Sequence, residues 1–287
     1  MEFIALNNGV RMPLLGFGVF QIEPEDTQRC VEEAISVGYR SIDTAQAYFN
    51  EKEVGLAINN AIKGGIIREE LFITTKIWIN NANEAKARKS IESSLQKLGL
   101  DFIDLLLIHQ PFGDIYATWR VMSDMYKEGL IRAIGVSNFY LDRFMDFILH
   151  HEIKPAINQI ECHPFFQRQK ESDIFFNECG TITQSWASFA EGKENMFNNE
   201  ILNSIGKKYD KSIAQVILRW LIQRKIVVIP KTIKKERMIE NFNIFDFALS
   251  ESDMQTIAKM NKNKSLFLEH SDFQTAKWLI EVHKDKF

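Results

Sequence analysis

The chain has 287 residues, 45% hydrophobic and 25% charged, which suits a soluble globular protein with a sizeable core. A formal net charge of −3 offers no basic surface for nucleic acid, and no apolar run approaches the roughly 20 residues that span a bilayer. Three widely spaced cysteines, Cys30, Cys162 and Cys179, argue against a disulfide framework or a zinc ribbon and fit a reducing cytosol.

The first stretch, "MEFIALNNGV", has no charged segment followed by an apolar core, so it does not read as a signal peptide and the cytoplasm is the expected location. "EFIAL" and "RMPLLG" flank "NNG", and Asn-Gly suits a tight turn, so a hairpin is predicted over about residues 2–12. "LLGFGVF" reads as the next strand. "PEDTQRCVEEAISVG" follows as a helix, with proline early, acids in its first turn and glycine at its end. The alternation then repeats through "YRSID", "LFITTKI", "DFIDLLLIH", "IRAIGVS", "PAINQIE", "GTITQSW" and "KIVVIP". Helical periodicity fills 50–63, 83–98, 114–127, 140–150, 170–178 and 211–223 between them. Near-continuous apolar runs such as "LLLIH" and "IVVIP" are those of buried parallel strands. Eight of them, joined by helical crossovers with no Pro/Gly/Ser-rich linker, predict a (β/α)8 TIM barrel, one domain over 1–287. The hairpin would close its bottom and a tail of about 262–287 would lie near the substrate pocket. The competing open, doubly wound sheet needs a glycine-rich turn and a helix start that "GFGVF" does not supply.

In a barrel, chemistry gathers at the C-terminal ends of the strands. Those ends carry Asp43, Lys76, His109, Ser137 with Asn138, Gln159, Trp186, and Pro230 with Lys231. Asp43 to Lys76 and Lys76 to His109 are each 33 residues, about one strand–helix unit, so the three groups converge on one mouth with Tyr48 in the loop above. Taken singly, Asp43 also suits a helix cap, Lys76 a strand-end side chain reaching solvent, His109 a core histidine and Tyr48 packing at a helix entry. A shared role links them. Tyrosine is a poor acid near neutrality unless its anion is stabilised, and a lysine held by a carboxylate lowers its pKa. His109 would add a hydrogen bond to an oxygen that becomes negative. The set suits protonation of a carbonyl oxygen.

"GYRSIDTAQAYFNE", "TTKIW", "LLLIHQP", "IGVSNF", "NQIECHP" and "IPKTIKKERMIEN" together resemble the aldo-keto reductase superfamily, in the right order from about residue 5 to 265. "HQPFGD" and "FAEGKENMFNNE" resemble its bacterial branch of small aldehyde and diketogluconate reductases. The resemblance implies NADPH-dependent reduction of aldehydes and ketones; an apolar aromatic pocket wall would accept a broad range of carbonyls, and with no extra interface evident in the sequence a monomer is expected. Tyr48 would be the acid, Lys76 and Asp43 its activators, and His109 the group that orients the carbonyl. It implies that Ser137, Asn138 and Gln159 bind the nicotinamide carboxamide and that Trp186 stacks on the ring. Ser188 would lie in the loop over the pyrophosphate, at a position where proline is common. Lys231, Thr232 and Arg237 would surround the 2′-phosphate, with Glu240 and Asn241 near the adenine. Phe20, Trp78, His109 and Phe112, with the tail from Ser265 to Trp278, would wall the substrate pocket. Gln110 and Phe20 both stand where many relatives carry tryptophan.

Other signals point elsewhere. "HHE" at 150–152 hints at a metal, but adjacent helical residues do not share a face, and no metal is expected. Cys162 and His163 form a conceivable nucleophile pair without an evident third group. The cationic run "KTIKKER" fits one phosphate better than nucleic acid. Two rival functions remain at this level. One is a non-catalytic or weakly catalytic NADPH-binding regulatory protein on the same fold. The other is a metal-dependent barrel hydrolase using Asp43, His109 and His163.

Overall fold

Asn7, Asn8 and Gly9 turn the chain back on itself, and the computed structural model, which describes residues 1–287, shows why three small polar residues are needed there. Gly9 takes a positive φ of 85°, and strands β1 (Phe3–Ala5) and β2 (Arg11–Pro13) pair antiparallel with Ile4 opposite Met12. The Asn7 amide donates to the carbonyls of Pro155 and Cys179 at 3.0 and 3.2 Å, and that of Asn8 to Arg132 at 2.9 Å. Those carbonyls lie just ahead of three barrel strands, so the hairpin closes the N-terminal mouth of the barrel.

The barrel strands are β3 (Phe17–Gly18), β4 (Ser41–Asp43), β5 (Phe72–Ile77), β6 (Leu105–Ile108), β7 (Ile134–Ser137), β8 (Ile157–Glu161), β9 (Ile182–Trp186) and β10 (Val227–Val228). All neighbours pair parallel, in chain order. The predicted helices form as α1 (Pro24–Val37), α2 (Glu51–Lys63), α3 (Glu84–Leu98), α4 (Ile115–Lys127), α5 (Leu141–Leu149) and α6 (Gln169–Cys179). A further helix, α7 (Glu200–Tyr209), precedes the expected α8 (Ile213–Gln223), and α9 (Lys235–Phe242), α10 (Glu251–Ala258) and α11 (Phe273–Glu281) follow the last strand. Local chemistry sets their starts: the side chains of Asn83, Asp114, Ser212, Ser250 and Asp272 each accept from a first-turn amide. Ser212 and Gln215 complete a reciprocal capping box. No helix is long and apolar enough to cross a membrane.

The sheet closes on itself. Val228 N donates to Leu14 O at 2.9 Å, Gly16 N to Val228 O at 2.8 Å and Gly18 N to Pro230 O at 3.2 Å. Glycine suits this seam because a Cβ on Gly18 would lie 2.8 Å from Ile229 O, and one on Gly16 would lie 3.2 Å from Ile229 Cγ2. The "GFG" of the sequence is therefore a close-packing device between the first and last strands. Gly18→Ala is expected to destabilise the fold by about 1–3 kcal/mol, the usual range for overpacking, measurable as a lower urea midpoint. An unchanged midpoint would mean that the seam yields without cost.

Candidate active site

Strand β4 ends on Asp43 and β5 carries Lys76 one residue before its end, so both side chains enter the C-terminal mouth fully buried. The Lys76 ammonium has three protons and three acceptors: Asp43 Oδ1 at 2.5 Å, Thr44 O at 2.8 Å and the Tyr48 hydroxyl at 3.2 Å. Asp43 Oδ2 accepts from Gln159 Nε2 at 2.8 Å, and the same amide nitrogen reaches Gln184 Oε1 at 2.9 Å. Burial works against the Lys76 charge, but Asp43 and then Tyr48 outweigh it and hold the lysine above its ordinary value. Burial pushes Asp43 upward, against the pull of Lys76 and Gln159.

Tyr48 sits on a single turn of helix, Gln46–Tyr48, between β4 and α2. Burial raises its pKa; Lys76 pulls the other way and Asp43 adds to the rise. The lysine does bring it down, as the sequence implies, but burial outweighs that pull and the net shift is upward. Burial costs the phenolate more than one ammonium restores, so Tyr48 holds its proton through neutral pH.

His109 follows β6 directly, and its ring meets Tyr48 edge-on at 5.6 Å and Trp78 at 5.1 Å. Burial, then the Lys76 charge, drives its pKa well below 6.5, so the ring is neutral. Its Nδ1 is sealed without a partner. A sealed lone pair costs less than a sealed N–H, which places the single proton on Nε2. Phe20 lies 5.0 Å from the Tyr48 ring and is 50% exposed, while Phe112 stacks at 6.4 Å on His270 of the tail. The tail also packs Leu279 against Trp78 and Ile79.

Beside this group, Ser137 Oγ donates to Gln159 O at 2.9 Å. Asn138 takes a left-handed φ of 64°, which turns its side chain back over the mouth. Its Nδ2 reaches His109 O at 3.1 Å and its Oδ1 accepts from Trp186 Nε1 at 2.8 Å. Gln159 lies inside β8 rather than at its end, pointing into the barrel with Oε1 free of protein partners. Ser188 is buried with its hydroxyl 2.8 Å from that of Ser185. Across the seam, Lys231 and Arg237 are exposed and in no ion pair, Thr232 Oγ1 accepts from Lys234 N at 3.1 Å, Glu240 is half-buried and Asn241 buried. Two unpaired cations at one end and a half-buried indole beside the free Gln159 Oε1 at the other suit a long dinucleotide.

Sequence reasoning missed several supports. Thr44 O and Gln184 complete the ring around Lys76 and Gln159, and Gln110, Glu161 and His270 fix the tail. Cys162 and His163 do not meet: the thiol faces Gln167 O and the imidazole faces Glu161, and burial raises the thiol's pKa. His150 bonds to its own helix at Asp146 O, and His151 packs among Tyr116, Trp119 and Phe147. No three His, Cys, Asp or Glu side chains gather as metal ligands.

Burial of His270 has a consequence for stability. Its pKa falls to about 4, mainly by desolvation, against an unfolded value near 6.5. The unfolded chain binds the proton more readily, so this contribution is complete above about pH 6.5 and is lost as pH falls toward about 4, up to ~3 kcal/mol. Urea midpoints between pH 7 and 4.5 should drop, and His270→Gln should flatten the drop. A mutant slope equal to that of the wild type would exclude His270 as its source.

A closed eight-stranded barrel with this buried cluster at its C-terminal mouth defines the class: the chain belongs to the aldo/keto reductase family, whose profile matches residues 14–262. Among particular relatives, it is 45% identical over 265 residues to the glyoxal reductase of Bacillus subtilis (strain 168), covering 92% of this chain and 94% of that one. It is 41% identical over 266 residues to the methylglyoxal reductase DkgA of Escherichia coli (strain K12), with 92% and 94% covered. A solved aldo-keto reductase from a Medee basin deep-sea metagenome library superposes with a TM-score of 0.90 at 40% identity, over 94% of this chain and 98% of that one.

Proposed function

We propose that this protein reduces small aldehydes and ketones, glyoxal and methylglyoxal among them, with NADPH as the hydride source. The observation that carries the reading is the Lys76 ammonium with all three protons committed to Asp43, Thr44 O and Tyr48, beside a neutral His109. When bound, the reduced nicotinamide supplies hydride to the carbonyl carbon. Tyr48 gives its proton to the carbonyl oxygen, and Lys76, already donating to the Tyr48 oxygen, stabilises the phenolate as it forms. Asp43 balances the lysine charge and fixes its direction. His109 donates from Nε2 to the same oxygen and so orients the carbonyl.

Ser137, Asn138 and Gln159 would hold the carboxamide, with Gln159 Oε1 accepting from its N–H, and Trp186 would lie against the ring. Ser188 belongs to the loop over the pyrophosphate. Lys231, Thr232 and Arg237 meet the 2′-phosphate, with Glu240 and Asn241 beside the adenine. Phe20, Trp78, His109 and Phe112 wall a substrate pocket of broad range. The reading extends to one barrel domain acting as a monomer in the cytoplasm, where three unpaired cysteines are at home.

The test is NADPH oxidation by the purified protein with glyoxal, methylglyoxal, benzaldehyde and a diketo sugar. No oxidation with any of them sinks the reading, and NADPH binding without turnover favours a regulatory protein. Trp186→Ala is expected to weaken NADPH binding about 10-fold, the loss of one aromatic stack, and to reduce the quenching of tryptophan fluorescence expected when NADPH is added. An unaltered titration in that variant would mean that the indole faces elsewhere.

A further inference from the structure

The Trp186 indole N–H is a donor only, and it lies 2.8 Å from Asn138 Oδ1. That contact fixes which end of the Asn138 amide is oxygen, so its NH2 group faces Ser137 Oγ at 3.1 Å, His109 O at 3.1 Å and Gln110 Oε1 at 3.3 Å. Gln110 Oε1 is thereby an acceptor, and His270 Nε2, 2.8 Å away, must supply a proton to it. The polarity of each bond follows from its neighbour. Trp186 donates to Asn138, Asn138 donates to Gln110, and His270 donates to Gln110 from the other side.

Both ends of this run meet the tail. Phe267 sits edge-on to Trp186 with centroids 5.3 Å apart, and His270 caps Gln110. The intervening tail is anchored at Glu161, which accepts from Ser265 Oγ at 2.6 Å and Leu266 N at 2.9 Å, and which pairs with Trp186 across the two strands. Gln110 and His270 are both buried, so neither bond is shared with bulk water.

We propose that Gln110 and His270 are positioning residues for the nicotinamide. They hold the Asn138 amide, and through it the Trp186 indole, in the orientation that receives the cofactor, so the tail builds the cofactor site as well as walling the substrate pocket. The proposal rests on the reading that Asn138 and Trp186 meet the nicotinamide.

Three variants test it. His270→Phe keeps a ring against Phe112 and removes the donor, Gln110→Leu removes the acceptor, and His270→Gln restores a donor. Fluorescence titration with NADPH should show about 10-fold weaker binding for His270→Phe and for Gln110→Leu, the effect of one hydrogen bond. With carbonyl substrate and NADPH both varied, the loss should fall more on the KM for NADPH than on kcat, since no reacting atom is touched. His270→Gln should recover most of the affinity, a rescue that a tail merely packed in place would not need. The double variant should lose no more than the weaker single one, because both break the same run. Thermal melts show whether any variant has simply unfolded, and His270→Gln decides the matter if one has. If wild type binds NADPH and both single variants bind it equally well, the proposal is overturned and the functional reading stands. Additive losses in the double variant overturn it too. A wild-type protein that does not bind NADPH overturns the functional reading and this proposal with it.

Discussion

Tyr48→Phe is expected to bind NADPH as the wild type does and to lose nearly all carbonyl turnover. The substitution keeps the ring against Phe20 and His109 and removes only the hydroxyl. A positioned general acid contributes roughly 10²–10⁴ in rate, and here no neighbour substitutes for it. Lys76 is committed to Asp43 and Thr44 O, and a neutral His109 is a far weaker acid than a charged one. Lys76 loses one of three acceptors in the variant, so a modest drop in melting temperature should accompany the kinetic loss. Because burial raises Tyr48 above the ordinary tyrosine range, kcat of the wild type should show no limb from this group below about pH 10. A variant that keeps most of its turnover removes Tyr48 from the role of acid.

Cofactor choice carries the second large effect. NADPH differs from NADH by one phosphate on the adenosine ribose, and Lys231, Thr232 and Arg237 are proposed to meet it. Arg237 offers a planar fork that binds phosphate through two parallel N–H bonds, which a lysine does not match. Neither cation is tied to a carboxylate, so no internal partner has to be displaced. Two charge-assisted contacts at an exposed site, taken at the low end for solvent screening, give a preference for NADPH of roughly 10²-fold. Raising salt should narrow it. Arg237→Ala should weaken NADPH and leave NADH nearly unchanged, as read from paired titrations. Equal affinity of the wild-type protein for both cofactors would dismiss these three residues while leaving Tyr48 and its neighbours untouched.

The features most legible in the sequence obey a local rule. Strand-end residues such as Asp43, Lys76 and His109 follow directly from apolar runs repeating at one strand–helix unit, and parallel strands in register bring them to one mouth. Helix starts at Asn83, Asp114 and Ser212 are likewise written in side chains that satisfy the first free amides. What escaped is set by tertiary contact. Gln110, Gln184 and His270 look like ordinary polar residues, and only the fold shows that each completes a bond begun elsewhere. The direction of the Tyr48 shift is a property of surroundings drawn from several strands. Helices α7, α10 and α11 lie outside the strand–helix alternation, so the repeat offers them no support, and α9, which completes it after β10, spans only Lys235–Phe242. Gly16 and Gly18 have part of the spacing of a dinucleotide fingerprint, and spacing alone does not reveal that Val228–Pro230 lies beside them.

That seam also fixes an order of events during synthesis. The strand that begins at Leu14 leaves the ribosome early, with its outer row of N–H and C=O groups unpaired until Val228 and its neighbours arrive. Until then every partial barrel has an open edge at each end. Pairing that joins such distant parts of the chain is slow to form. A chain that ends before Pro230 therefore lacks the bonds that close the barrel and keeps on its first strand the kind of open edge on which other strands add.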